Sequence, residues 1–453
     1  MGCRRAAHRL LALPALAAVV GHTLAAVAAR KYTVDLDAAP STRWQHVLED
    51  FLDEHGVPAF ERTYGEWMLT LSVVLPDIFE PSVARANGER FVAALARSHP
   101  DLVGELRTLS QALRRRSKSP MFDLPFVAAA TSVYVLGNIS PRNTTDTRPH
   151  LPSACTSALV RGHDGHVLHG RSLDYEPRDP MAETAVEVEF TKRGVAAYTC
   201  LHPLVYPIAL QWFTCVRPGQ FSLSVNARGQ GQWHEHNTTF DELLRRLQAP
   251  GSKLLGEASM AAMAADDYEA ALSRLASLPV VSSNYFVLAG ARVGEGAIVT
   301  RYGNSSSADV WALGSGEVDG QPSWMRVQTN VDHWVTYGSG AYATHRREHA
   351  IRLLSDIGEG NVTAKNLFGV YETASALDLT SLKRKEPEDT GAILRPSTIA
   401  SLVMSPADSA GRSLGTCVWS SSPMIAPPSE VPAIPTCYGR ATERADQGMR
   451  VVI

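Results

Sequence analysis

The chain has 453 residues, 45% of them hydrophobic, with a formal net charge of −3 and an isoelectric point near 6.6. That is enough apolar material for one large domain or two smaller ones. Neither the overall charge nor the short basic run Arg114 to Lys118 makes an electrostatic footprint for nucleic acid, so no nucleic-acid partner is expected.

In chain order, residues 1–28 read as a signal peptide. Arg4, Arg5 and Arg9 precede an apolar run, Leu10 to Val20, that is too short to span a bilayer, and Ala26-Val27-Ala28 fits a small-residue cleavage site. Sequons at Asn138, Asn143, Asn237, Asn304 and Asn361 agree with a glycosylated lumenal or secreted protein. Past the leader, Cys155, Cys200, Cys215, Cys417 and Cys437 remain. An odd number in an oxidising compartment leaves one thiol over.

Residues 31–130 carry apolar residues at helical spacing over 44–60, 65–78, 88–96 and 102–113, as expected of core-packing helices. Residues 137–154 are polar and proline-rich, and predict an exposed segment that could be cut without breaking a core. From Cys155 onward, alternating runs predict strands over 155–160, 166–173, 185–192, 220–228, 284–290 and 296–303. Helices are predicted over 268–275 and 346–357, and 421–436 reads as irregular.

Cys155 opens the first of these strands. If Asp164-Gly165 forms a two-residue turn, residues whose numbers total 329 face each other, and Cys155 lies opposite Asp174 on a shared face. Arg171 then points to the other face. A three-residue turn or a bulge would bring it round to Cys155, and the sequence leaves these registers open. A thiol attacks an amide as its thiolate, and no motif supplies a histidine base. A chain beginning at Cys155 would carry its own base, an α-amine of pKa about 8 tied covalently to the nucleophile. Asp174 could hold that amine, and Arg171 could lower the thiol pKa or orient a substrate oxygen. His163, His166 and His169 have no matching Cys/His set at ligand spacing, so neither metal nor cofactor is expected.

The run CTSALVRGHDGHVLHGRSLDYE resembles the start of the β-subunit in the family of acid ceramidases and N-acylethanolamine-hydrolysing acid amidases. These are choloylglycine-hydrolase-like N-terminal-nucleophile hydrolases. Cys155, with Arg171 16 residues on and Asp174 19 residues on, carries the match. Residues 31–44, 213–228, 284–301 and 327–334 also resemble family segments, in order. From about residue 375 the likeness is poor apart from helical remnants.

The resemblance implies an α+β fold: an αββα sandwich with a helical α-subunit over 29–154 and a catalytic β-subunit over 155–453, formed by self-cleavage between Ala154 and Cys155. It implies a catalytic set of Cys155, Arg171, Asp174, Asn330 as an oxyanion donor, and Arg346 in preference to Arg347. The implied activity is a cysteine amidase acting on a lipid N-acyl amide. Ceramide is the leading substrate, and N-acylethanolamines, N-acyl amino acids or penicillin-type amides are alternatives. A lysosomal or secreted location is implied, with the chain's own two pieces and a lysosomal lipid-activator protein as partners. Three positions depart from the family: Ala227 stands where it has a glutamate, Val331 for a tyrosine and Cys215 for a glycine. The loss at Ala227 supports a reading of another class, a lipid-binding glycoprotein that never cleaves itself.

Overall fold

The computed structural model describes residues 25–27, 29–74, 79–132, 135, 153–207, 214–228, 240–303, 305–335, 342–379, 393, 397–408 and 415–420. The chain opens with two short strands, β1 (Ala25–Val27) and β2 (Arg30–Asp35). Five helices follow: α1 (Gln45–His55), α2 (Pro58–Val74), α3 (Pro81–Ser98), α4 (Pro100–Arg116) and α5 (Leu124–Thr131). The single helix predicted over 44–60 is thus two. Gly56 takes φ +64, donates its N–H to Leu52 O at 2.9 Å and ends α1, and Pro58 opens α2.

The second part runs β3 (Ser153–Arg161), β4 (Val167–Tyr175), α6 (Arg178–Glu183), β5 (Ala185–Lys192), β6 (Val195–Pro203), β7 (Thr214–Arg217) and β8 (Phe221–Ala227). Next come α7 (Phe240–Leu247), α8 (Leu255–Met263), α9 (Tyr268–Ser277), β9 (Asn284–Gly290), β10 (Gly296–Arg301), β11 (Ala308–Ala312) and β12 (Met325–Gln328). It closes with α10 (Tyr342–Ile357), α11 (Ala364–Leu379), β13 (Thr398–Met404) and β14 (Gly415–Ser420).

Two sheets result. One has the order β1-β14-β13-β4-β3-β12, the other β11-β10-β9-β8-β7-β6-β5-β2. β2 joins β5 in parallel, and the neighbouring β5–β6 pair is antiparallel. β3 and β4 pack face to face on β8 and β9. α10 and α11 cover the outside of the first sheet, and α9 covers β9 to β11 on the outside of the second. The helices before residue 153 extend that outer layer over β5 and β6: the Trp44 ring stacks on His202 at 4.5 Å and meets Phe190 edge-on at 5.8 Å. One apolar core runs from Phe51 and Leu106 through Val188 and Leu201 to Leu223 and Phe286, so both parts of the chain share it.

The layer between the sheets is partly polar. His169 sits between Ser222 Oγ and Ser224 Oγ, each at 2.9 Å, and Ser157 Oγ donates to Asn226 Oδ1 at 2.9 Å. Burial, with Arg171 nearby, pushes the His169 imidazole down to about 3, so it serves these contacts as a neutral ring.

Two readings of the sequence need correction. The helical region holds β2, an edge strand too short for periodicity to separate from its helical neighbours. The part beyond residue 375, where the likeness to the family is poor apart from helical remnants, contains β13 and β14, and β13 lies directly beside β4. β13 is buried along its whole length, so it shows no alternation to read. Cys200 and Cys215 form a disulfide between β6 and β7, which accounts for the cysteine at the family's glycine position. Cys155 is a free cysteine, Cys417 lies in β14, and Cys437 lies outside the described residues. Of the sequons, Asn361 is exposed between α10 and α11, while Asn138, Asn143, Asn237 and Asn304 lie outside the described residues, as does the stretch 421–436. No helix among the described residues is long and apolar enough to cross a membrane.

Candidate active site

β3 and β4 are joined by residues 162–166, and Gly162 pairs with His166 so that His163-Asp164-Gly165 form a three-residue turn. Gly162 N–H donates to His166 O at 2.8 Å, Asp164 Oδ1 accepts from His166 N–H at 3.0 Å, and Gly165 takes φ +82. The extra turn residue sets the register: Cys155 pairs with Leu173, Ser157 with Arg171 and Ala154 with Asp174. Of the registers the sequence leaves open, the chain adopts the one set by a three-residue turn, in which Cys155 is not opposite Asp174. Side chains alternate along a strand, so the one-residue shift brings Arg171 onto the Cys155 face and sends Asp174 to the reverse.

Arg171 Nη2 lies 3.6 Å from Cys155 Sγ and donates to Val225 O at 2.6 Å. Asp174 reaches the sulfur through its backbone N–H. Its carboxylate Oδ1 accepts from Ser172 Oγ at 2.6 Å and Thr398 Oγ1 at 2.7 Å.

The remaining two groups come from elsewhere in the chain. Asn330, just past β12, accepts the Cys155 N–H on Oδ1 at 2.8 Å and donates from Nδ2 to Ala227 O at 2.9 Å. An amide NH₂ carries two hydrogens, so the contact to Ala227 leaves one for another acceptor. Arg346, on the first turns of α10, is 2% exposed. Its Nη1 donates to Cys155 O and to Thr156 Oγ1, and its Nη2 to Asn330 Oδ1, all at 2.8 Å. Arg347 turns away, donating to Asp332 O at 2.9 Å and to Val335 O. Of the five residues read from the sequence, Arg171, Asn330 and Arg346 thus surround Cys155 with their side chains, and Asp174 does so with its main chain.

Burial pushes the Cys155 thiol up. Arg171 opposes this, the Asp174 carboxylate adds to it, and the Asp174 N–H and Arg346 oppose it again. In the continuous chain the group is a buried thiol.

No spacing in the sequence points to what braces Asn330. Asp332, two residues on, takes both arms of Arg228, at 2.7 and 2.9 Å, and the Tyr285 hydroxyl at 2.7 Å. The partners lie 104 and 47 positions away, beyond any local spacing rule. Ala227, fully buried, meets the site through its carbonyl, and Val331 packs on Val335 and Trp334.

Beside the cysteine, Tyr175 at the end of β4 meets the Trp67 ring at 6.3 Å, and Trp67 meets Tyr206 at 4.6 Å. Tyr206 lines a narrow crevice with Trp44, Leu48, Glu105, Leu109, His202 and Leu204. Trp67 and Leu71 are buried, and Leu69, on the same helix, is exposed.

An αββα sandwich whose inner strand carries near its start a cysteine ringed by two arginines and an asparagine has the fold of an N-terminal-nucleophile hydrolase. Residues 27–71 match a family model described as the beta subunit of N-acylethanolamine-hydrolyzing acid amidase, a segment that lies wholly ahead of Cys155. The N-acylethanolamine-hydrolyzing acid amidase of Cavia porcellus is 28% identical over 342 residues, 75% of this chain and 82% of that one. That of Mus musculus is 26% identical over 369 residues, 80% and 88% of the two chains. The acid ceramidase of Heterocephalus glaber is 23% identical over 362 residues, 77% and 80%. The chain is similar to these acid amidases and acid ceramidases over three quarters or more of its length. Over comparable spans the amidases are the more similar, which moves the emphasis from ceramide to the alternative read beside it.

Proposed function

We propose that the chain is a self-processing cysteine amidase that hydrolyses N-acylethanolamines to a fatty acid and ethanolamine. The observation that carries this is the convergence on one buried cysteine of Arg171 at its sulfur, Asn330 at its nitrogen and Arg346 at its carbonyl. Sγ attacks the Ala154 carbonyl, the peptide becomes a thioester and water releases it, leaving Cys155 with a free amine. Asn330 Oδ1, which already receives this nitrogen's hydrogen, keeps the amine in place. Asp174, paired with the residue that departs, gains access to the amine once Ala154 is cut away.

In the mature site the amine takes the thiol proton, and sulfur attacks the substrate carbonyl. Arg171 lowers the cost of charge on sulfur. The Asn330 Nδ2 hydrogen not used by Ala227 is a donor for the oxyanion, a contribution of about 3–4 kcal/mol in comparable sites. The amine returns the proton to the leaving ethanolamine, and water clears the thioester. The aromatic group Tyr175, Trp67 and Tyr206 beside the cysteine offers apolar surface to an acyl chain. A glycoprotein of the secretory pathway or lysosome fits the leader and sequons.

Ceramide is the second reading, favoured by the ceramidase relatives. Purified protein, run on a denaturing gel after acid incubation and sequenced at its new N-terminus, tests processing. Two bands with an end at Cys155 are expected, and one full-length band would leave the lipid-binding reading in place. Turnover of N-acylethanolamine over ceramide is expected, and the reverse preference would return the assignment to ceramide.

A further inference from the structure

Three residues past Asn330, His333 is clamped between two carboxylates. Its Nε2 lies 2.8 Å from Asp309 Oδ2 on β11, and its Nδ1 bonds Asp319 Oδ2 in the turn before β12. Ionised carboxylates only accept hydrogen bonds, and a neutral imidazole has one N–H to give. Satisfying both sides therefore requires the imidazolium. The ring is 8% exposed and stacks on Trp311 at 4.3 Å and 18°, with Trp334 edge-on at 4.7 Å. A cation stacked on indole is a favourable arrangement.

The clamp fixes the segment that carries Asn330. On its other sides that segment is held by Arg228 and Tyr285 on Asp332 and by Arg347 on the Asp332 and Val335 carbonyls. Of these holds, the clamp is the one made by an imidazole, the side chain whose charge changes in mildly acidic solution.

We propose that His333 is a positioning residue whose protonation, through Asp309 and Asp319, locks the Asn330 segment in its working place and makes the site an acid-dependent one. This rests on the amidase reading above and adds a regulatory group to it. The charged groups facing the clamp are Asp309, Asp319, Arg326, whose guanidinium lies over Trp311 at 5.0 Å, and Arg347, with Asp332 beside the ring in sequence. Burial alone would lower the imidazole pKa, but the two aspartates outweigh it and raise it. A group with a raised folded pKa stabilises fully below its ordinary value, about 6.5, and loses that contribution as pH rises through the higher one. The clamp is therefore closed in acid and opens toward alkaline pH.

The test is the pH profile of hydrolysis and self-cleavage for the wild type, Asp309→Asn, Asp319→Asn, the double variant and His333→Gln. The two aspartates are partly exposed, so their replacement leaves the core intact. The alkaline limb is expected to move down by about one pH unit in the double variant, as befits loss of two opposite charges. His333→Gln is expected to lose roughly tenfold in kcat at acid pH and to flatten the limb, with KM little changed. A limb that stays where the wild type has it in the double variant would overturn the proposal. If His333→Gln does not fold, the aspartate variants carry the test alone. If the wild type hydrolyses no amide at any pH, the amidase reading falls and the clamp is judged by melting temperature. The gap between wild type and double variant is expected to be wider at pH about 5 than at about 8, and an equal gap refutes it.

Discussion

Arg346 and Cys155 are joined at both ends of the cysteine's backbone. One guanidinium nitrogen donates to the Cys155 carbonyl, and the other donates to the same Asn330 oxygen that receives the Cys155 N–H. A helix start far along the chain thus dictates the angle at which the nucleophile leaves its strand.

This grip needs a planar fork. Arg346→Lys keeps the charge but replaces the two-nitrogen fork that reaches three acceptors with a single ammonium nitrogen that cannot span them. Roughly a hundredfold loss of kcat/KM is expected, with slower self-cleavage. Arg347→Lys, which touches only carbonyls of the 332–335 segment, should lose far less. Steady-state kinetics on the two variants side by side decide it, and equal losses would deny Arg346 its separate place.

Arg228 and Asp332 form a buried ion pair, 7% and 1% exposed. Removing one partner strands the other's charge, so Asp332→Ala should cost about 3–5 kcal/mol in urea unfolding. Replacing both with apolar residues of similar volume should recover much of that. A single variant as stable as the wild type would contradict the pairing.

The buried thiol should react slowly with iodoacetamide in the uncut chain, and faster as pH rises. Burial holds its pKa up while Arg171 pulls it down. Arg171→Met removes the opposing charge, so the onset of alkylation should shift to higher pH. A shift to lower pH would mean that Arg171 acts on the sulfur in another way.

Gly170 sits beneath the Tyr371 ring of α11, where an added Cβ would come within 2.6 Å of the ring. Gly170→Ala should destabilise by about 1–3 kcal/mol and displace the neighbouring Arg171. Thermal melts with kinetics measure both effects. An unchanged melt would show that the ring yields freely.

Much of the site was legible before the structure. Cys155, Arg171 and Asp174 lie on one hairpin, and Asn330 and Arg346 stood out by likeness to a family. Their relative orientation was not legible, because one residue more or less in the 163–165 turn exchanges the two faces of β4. Whether Asp164-Gly165 closes a two- or a three-residue loop depends on Gly162 pairing with His166, a choice that local composition does not make. The braces on Asn330 were hidden for a different reason. Arg228, Tyr285 and Asp332 meet only when three strands assemble. Likewise β13 is apolar throughout, and nothing in its own residues shows that it belongs beside β4.

β2 has one more consequence. It pairs in parallel with β5 through six residues, and it belongs to the part of the chain ahead of the proposed cut. Severing the peptide before Cys155 would therefore create two polypeptides without creating two bodies. Main-chain bonds and a common interior would continue to join them, and dilution would not part them. Their separation would demand denaturation, and neither piece expressed by itself would have a complete fold to adopt.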